Sequence, residues 1–211
     1  MPGYYRWLTP GNVELSKVFR LAELFEIARY IQTQLDGQGV KASDVQAMLG
    51  FSQGALVALA MLGFRLIGQS IWENLRFCVA IGAGTTGKTA QMAVIQDMVN
   101  MLSSLLGRDD GKFSGYSVQA MGLQDPWYQD GKRLSAMSDP ACTRFMNYRD
   151  GHVVLRRRPE VQKLVQAIQA IDKASQGDSV TARPVVESIP SQLTGDLEQG
   201  LSVLAANGIV I

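Results

Sequence analysis

The sequence predicts an α/β protein in which a mainly parallel β-sheet is flanked by helices. Short apolar runs alternate with longer segments whose apolar residues recur every three or four positions. This alternation of strand and helix is the unit from which parallel sheets are built. The chain has 211 residues, 46% of them hydrophobic, so it can bury one sizeable core.

Four short segments have the apolar character of buried strands: 45–50, 76–81, 116–123 and 145–148. Amphipathic or buried helices are predicted at 13–35, 55–62, 89–106 and from Pro159 to about Lys173. Residues 174–211 are rich in Ser, Gly and Gln, which is typical of irregular structure. We therefore expect a core over residues 1–173 and a C-terminal appendage over 174–211.

Charge and composition argue against several function classes. Twenty basic and nineteen acidic side chains leave a net charge of +1, so no overall field favours nucleic acid or an anionic membrane as a partner. No run of about eighteen apolar residues could span a bilayer, and the start of the sequence lacks the pattern of a signal peptide. We expect a cytoplasmic protein with no cofactor and no metal.

A nucleophile motif lies between the first predicted strand and the helix that follows it. Gly50-Phe51-Ser52-Gln53-Gly54 matches G-x-S-x-G, in which a strained strand-to-helix turn presents a serine. We expect both glycines to be required, because a Cβ at either position would clash with neighbouring chain. Ser52 is therefore the candidate nucleophile, and a serine at an ordinary helix N-terminus is the alternative.

The single histidine, His152, is the candidate general base, with a structural histidine as the alternative. Proteins with this motif carry their triad in the chain order Ser, then Asp or Glu, then His, with the last two after later strands. Asp125 follows the third predicted strand and is the candidate acid, with an ordinary Asp-Pro turn as its alternative. Three other acids end no comparably clear strand: Asp130, Asp139 and Asp150.

Five blocks of sequence occur together in one order: PGYYRW at 2–7, LGFSQGA at 49–55, RFCVAI at 76–81, GLQDPW at 122–127 and GHVV at 151–154. In this combination the chain, from about Gly3 to Ile171, resembles the fungal serine hydrolase family. That family consists of α/β-hydrolases and includes esterases and thioesterases of polyketide gene clusters. The resemblance implies Ser52 as nucleophile, Asp125 as triad acid and His152 as base.

The resemblance also implies an α/β-hydrolase-like fold and an acyl ester or thioester substrate, with an acyl-carrier protein or polyketide synthase as partner. The Gln53 N–H is expected to be one oxyanion donor. Family members begin with a strand and a histidine-glycine loop that supplies another donor, and we expect these first strands to be lacking here. The sheet would then have an exposed edge through which copies form a homo-oligomer. A catalytically inactive relative that acts as a binding protein is one alternative.

A second motif favours a different function. Residues Gly82 to Thr89 satisfy G-x-x-x-x-G-K-[ST], the phosphate-binding loop, and lie between a predicted strand and a predicted helix. Backbone N–H groups would surround the phosphates, Lys88 would contact the β and γ groups, and Thr89 would bind magnesium. Such a fold needs several more strands after this loop, and only two are predicted. A nucleotide-binding protein stays as an alternative.

Overall fold

The computed structural model describes residues 17–66, 70–84, 99–100 and 110–177. The strands among these residues are β1 (Ala47–Phe51), β2 (Phe77–Ile81), β3 (Tyr116–Gly122) and β4 (Thr143–Tyr148). The helices with full bounds are α1 (Lys17–Asp36), α2 (Gln53–Leu66), α3 (Tyr128–Ala136) and α4 (Arg158–Gly177). Two short 3-10 turns occupy Ala42–Asp44 and Ser70–Trp72.

The four strands form one sheet in the order β1-β2-β3-β4, and every neighbouring pair is parallel. Strand order therefore follows chain order, and each strand ends at the same edge of the sheet. Phe51 lies opposite Ile81, and Gly122 lies opposite Tyr148, so the loops that follow these residues are neighbours. The predicted α/β class, with a parallel sheet and flanking helices, is confirmed.

Apolar side chains cover both faces of the sheet. One face packs against α2, whose ten consecutive residues 55–64 are buried, and α1 packs against α2. The other face packs against α4 through a cluster that includes Val118, Leu164 and Ile171. All five residues of β2 are buried, as expected for a parallel strand covered on both sides. None of the helices described is long and apolar enough to cross a membrane.

Several element bounds differ from those predicted. Helix α2 begins at Gln53 instead of residue 55, because it starts directly after the turn at Ser52. Helix α4 continues to Gly177, so the border expected between 173 and 174 falls inside a helix. The predicted helix 89–106 is described only at residues 99–100, which are helical, and residues 178–211 lie outside the described residues.

Helix α3 has no counterpart among the predicted helices. It is nine residues long and contains a buried glycine, Gly131, next to the side chain of Met121 in β3. A glycine inside a helix lowers helix propensity, so the sequence of this segment does not clearly predict a helix. Leu134 supplies its other buried contact. Packing against β3 therefore stabilises a helix that propensity alone does not favour.

Strand β1 is at one edge of the sheet described. It pairs with β2 on one side, and its Leu49 side chain is 62% exposed. An exposed strand edge with an apolar side chain offers a surface for further strand pairing. In the part of the chain that the structure describes, β1 pairs with no strand other than β2, and self-association through this edge stays a prediction.

Candidate active site

Ser52, Asp125 and His152 lie together at the carboxyl edge of the sheet, although 100 residues separate the serine from the histidine. His152 Nε2 is 2.9 Å from Ser52 Oγ, and His152 Nδ1 is 2.8 Å from Asp125 Oδ2. An ionised carboxylate only accepts hydrogen bonds, so Nδ1–H donates to Asp125, and in the neutral imidazole Nε2 accepts from the serine hydroxyl. The structure thus brings together all three residues that the sequence singled out.

Ser52 occupies a strained turn between β1 and α2. Its φ is 57°, and it is the one non-glycine residue with positive φ in the described part of the chain. This region is sparsely populated by residues with a side chain, and such strain is common at functional positions. The Ser52 N–H donates to the Ile81 carbonyl at 2.9 Å, and the Ala55 N–H donates to the Ser52 carbonyl at 3.1 Å. Strand β2 and helix α2 therefore hold the turn from both sides.

The two glycines of the motif have different roles. A Cβ on Gly50 would lie 2.0 Å from the Gly54 carbonyl oxygen, so position 50 requires glycine. A Cβ on Gly54 would meet no described atom within 4 Å. The steric reason expected for both glycines is therefore present at Gly50, while at Gly54 the described residues give no such reason.

Gln53, the expected oxyanion donor, is the first residue of α2 and follows Ser52 directly. The N-terminal end of a helix carries partial positive charge and attracts negative groups. A negative charge that develops next to Ser52 would therefore lie near the favourable end of α2. The specific role of the Gln53 N–H stays a prediction.

Asp125 lies in the turn between β3 and α3, and its side chain is fully buried. Its Oδ1 accepts a hydrogen bond from the Trp127 N–H at 2.9 Å, and its Oδ2 accepts from His152. The backbone is also held, since the Asp125 N–H donates to the Gly122 carbonyl at 3.0 Å. A buried charge is tolerated when it is paired and hydrogen-bonded, so this environment keeps the carboxylate in one orientation.

The three substitute acids make contacts away from this triad. Asp130 pairs with Arg133 at 3.4 Å, Asp139 Oδ1 accepts from the Ala141 N–H at 2.9 Å, and Asp150 pairs with Arg157 at 3.0 Å. Within the described ranges, no group of three or more His, Cys, Asp or Glu side chains is placed to bind a metal ion. The acid that contacts His152 is thus the one that directly follows β3.

Two aromatic rings flank the imidazole of His152. The Phe51 ring centroid is 4.8 Å from that of the imidazole, and Trp127 approaches it edge-on with a centroid distance of 4.3 Å. The His152 side chain is 22% exposed. The imidazole is therefore held by packing and still reaches solvent. The sequence shows both aromatic residues next to triad members, but their ring contacts depend on the fold.

The first two glycines of the phosphate-loop motif pack against residues of this site, Gly82 against the Asp125–His152 pair and Gly84 against Trp127. Gly82 has a φ of 56°, and a Cβ there would lie 3.4 Å from His152 Nδ1 and 3.5 Å from Asp125 Oδ2. The Gly82 N–H donates to the Ala120 carbonyl at 2.8 Å, so this N–H is used within the sheet. A Cβ on Gly84 would lie 2.4 Å from Trp127 Cβ. Both glycines have a packing role here, and residues 85–89 of the motif lie outside the described residues.

No family model matches the chain, and neither does any curated protein. A similar solved structure is that of an esterase from Pyrobaculum calidifontis, in a monoclinic crystal form, with 15% sequence identity and a TM-score of 0.38. The match covers 74% of this chain and 59% of the esterase, so the chain spans less than two thirds of that protein. This likeness assigns neither a family nor an activity.

Proposed function

We propose that this chain is a serine hydrolase that cleaves carboxylic esters or thioesters. The observation that carries the proposal is the continuous chain of short contacts from Ser52 Oγ through the imidazole of His152 to a buried carboxylate, Asp125. Nucleophile, base and orienting acid in this arrangement perform acyl transfer on several unrelated folds. The positive φ of Ser52 supports the same function, because strained serines at strand-to-helix turns are nucleophiles in α/β-hydrolases.

The chemistry follows from the contacts. As Ser52 Oγ attacks the substrate carbonyl, His152 Nε2 takes the hydroxyl proton and Asp125 stabilises the resulting imidazolium through Nδ1–H. The oxyanion accepts a hydrogen bond from the Gln53 N–H. His152 then donates its proton to the leaving alcohol or thiol, which leaves an acyl-serine. Water, activated by the same imidazole, hydrolyses the acyl-serine and releases the acid.

The acyl portion of the substrate is proposed to be a medium or long chain of the polyketide type. Three aliphatic residues within two positions of Asp125 or His152 along the chain are exposed and support an apolar acyl group: Leu123 is 52% exposed, Val153 is 37% exposed and Val154 is 48% exposed. Exposed apolar groups beside a site favour an apolar ligand. The polyketide assignment and an acyl-carrier or synthase partner rest on the resemblance of the five sequence blocks.

A comparison of esters separates an enzyme from an inactive binding protein. We expect the wild-type chain to hydrolyse p-nitrophenyl esters of two to ten carbons, with faster turnover for the longer acyl groups. Ser52→Ala should lose at least about a thousandfold in kcat, as expected when a triad nucleophile is removed. Ser43→Ala, a partly exposed serine in the first 3-10 turn, is the matched control and should keep wild-type rates. Equal background rates for wild type and Ser52→Ala would refute the proposed activity.

A further inference from the structure

Tyr148 is the last residue of β4, four residues before His152, and only 1% of its surface is exposed. Its hydroxyl donates a hydrogen bond to the carbonyl of Val153 at 2.7 Å. Val153 directly follows His152 in the chain. The side chain of Tyr148 therefore connects the start of the histidine loop, residues 149–153, to its end.

Backbone hydrogen bonds join the start of this loop to the loop of Asp125. The Leu123 N–H donates to the Tyr148 carbonyl at 2.8 Å, and the Gln124 N–H donates to the Asp150 carbonyl at 3.2 Å. A Cβ on Gly122 would lie 2.3 Å from that same Asp150 oxygen, so the two chains pass very close to each other. These contacts fix the loop up to Asp150, and the Tyr148 hydroxyl holds it beyond that point.

Charged groups around the phenol favour its role as a donor. Burial, followed by the nearby Asp125, Asp150 and Glu160 carboxylates, raises the pKa of Tyr148 to about 12. The hydroxyl therefore keeps its proton throughout the physiological pH range. Asp150 also pairs with Arg157 at 3.0 Å, and Glu160 accepts from the Arg149 N–H at 2.8 Å, so the start of the loop is tied to the start of α4.

We propose that Tyr148 is a positioning residue for His152, which holds the Val153 carbonyl and thereby keeps Nδ1 of the imidazole directed at Asp125. The catalytic consequence rests on the proposed function, whereas the effect on the imidazole does not. Without the hydroxyl, the part-buried Val153 carbonyl loses this donor and the loop gains freedom beside the imidazole. A small displacement would then weaken the contacts to Asp125 and Ser52 together.

Tyr148→Phe removes the hydroxyl and keeps the ring. Because the chain has one histidine, ¹⁵N-histidine labelling gives a single imidazole spectrum, and its nitrogen shifts report the tautomer when the ring is neutral. We expect mainly the Nδ1–H tautomer in wild type, and in Tyr148→Phe a mixture of tautomers with Nδ1–H exchange about fivefold faster. Tyr30→Phe, the same chemical change at a 47% exposed position of α1, should keep the wild-type spectrum. A wild-type spectrum in Tyr148→Phe would overturn the proposal.

A fluorinated tyrosine at position 148 tests the same hydrogen bond if Tyr148→Phe fails to fold. This side chain keeps both ring and hydroxyl at neutral pH, and its hydroxyl ionises at lower pH than that of tyrosine. Ultraviolet absorbance follows the ionisation of this hydroxyl. Once ionised, the hydroxyl no longer donates a hydrogen bond, and the mixture of imidazole tautomers should appear. The wild-type protein at the same pH should keep its spectrum. An imidazole spectrum that does not change on this ionisation would also overturn the proposal.

Kinetics then test the catalytic consequence. Tyr148→Phe should lower kcat for ester hydrolysis about tenfold with KM unchanged, because Tyr148 acts through the base and does not touch substrate. If wild type itself has no turnover while the tautomer still changes in the variant, the proposed function fails and the positioning role stands. If kcat is normal in the variant, the positioning role has no catalytic consequence and the proposal is refuted in that part.

Discussion

The carboxylate of Asp125 is fully withdrawn from water, and a donor contacts each of its oxygens. The Trp127 N–H holds one oxygen, so the other is aimed at His152 Nδ1. A buried carboxylate held in this way selects the imidazole tautomer whose Nε2 lone pair faces the serine. At the residue scale the site therefore depends on the orientation of the Asp125 carboxylate and the His152 imidazole. Small chemical changes to these side chains should have large effects on kcat.

Asp125→Asn tests that orientation. An amide can donate to Nδ1, which stabilises the opposite tautomer and leaves Nε2 unable to accept the Ser52 proton. We expect kcat on p-nitrophenyl esters to fall by about 10³- to 10⁴-fold with little change in Tm. Asp44→Asn, an exposed acid in the first 3-10 turn, is the control and should behave as wild type. A loss smaller than about tenfold would contradict an orienting role for Asp125.

Tyr148 also makes a specific contribution to stability at alkaline pH. Its pKa rises from 10.0 to about 12, mainly through burial and then through the nearby carboxylates. The native state keeps a proton that the unfolded chain releases above pH 10.0, so the free energy of unfolding falls as pH rises from 10.0 to about 12. Tyr148→Phe should lack this part of the fall. Urea unfolding across this range measures it, and parallel curves for the two proteins would refute the assignment. Buried Cys78, whose pKa is also raised by burial, contributes equally to both proteins.

At the scale of elements, β1, the turn at Ser52 and α2 form one unit. Strand β1 ends at Phe51 and α2 begins at Gln53, so a single residue reverses the chain direction. The turn is possible because Gly50 has no side chain where the backbone of α2 passes. The packing of β1 and α2 thus stabilises the strained backbone conformation of Ser52.

A pair of glycine variants tests this unit. Gly50→Ala would place a Cβ against the Gly54 carbonyl, a backbone atom that cannot move alone, and should reduce the free energy of unfolding by at least about 2 kcal/mol. Gly54→Ala adds a methyl at a helical position where no described atom lies within 4 Å, and it should change the free energy of unfolding by no more than about 1 kcal/mol. Urea unfolding measures both variants. Equal destabilisation would show that the turn does not constrain position 50.

Periodicity and apolar content were enough to predict the well-buried elements. Strand β2 is buried at every position, and α2 is buried along ten consecutive residues, so their composition alone marks them. Helix α3 could not be predicted in this way, because only Gly131 and Leu134 are buried in it, and Gly131 lies against Met121 of β3. The close approach of the Gly54 carbonyl to position 50 is likewise a property of the tertiary structure.

At the scale of the whole molecule, the loops that follow the four parallel strands lie at one edge of the sheet. The positions of Ser52, Asp125 and His152 at this edge could be predicted, because a short motif marks the serine and predicted strand ends mark the other two. The rings of Phe51 and Trp127 around the imidazole could not, because such contacts depend on how neighbouring loops pack.

The same edge also contains the start of the phosphate-loop motif, and this allows a test of the nucleotide alternative. Since the Gly82 N–H is used by the Ala120 carbonyl, we expect magnesium and ATP at about 1 mM to leave Tm unchanged. A saturable rise in Tm that Lys88→Ala abolishes would contradict this expectation. Thermal unfolding measures both proteins.

The most direct test of the proposed triad is covalent labelling by a fluorophosphonate, followed by peptide mapping with mass spectrometry. A serine activated by a neighbouring base reacts with this electrophile, and other serines do not. We expect one adduct, on Ser52, and labelling at least about a hundredfold slower in His152→Gln, where no imidazole is left to take the proton. An adduct on another residue, no adduct in the wild-type protein, or equal labelling of the two proteins would contradict the assignment of Ser52 and His152 as nucleophile and base.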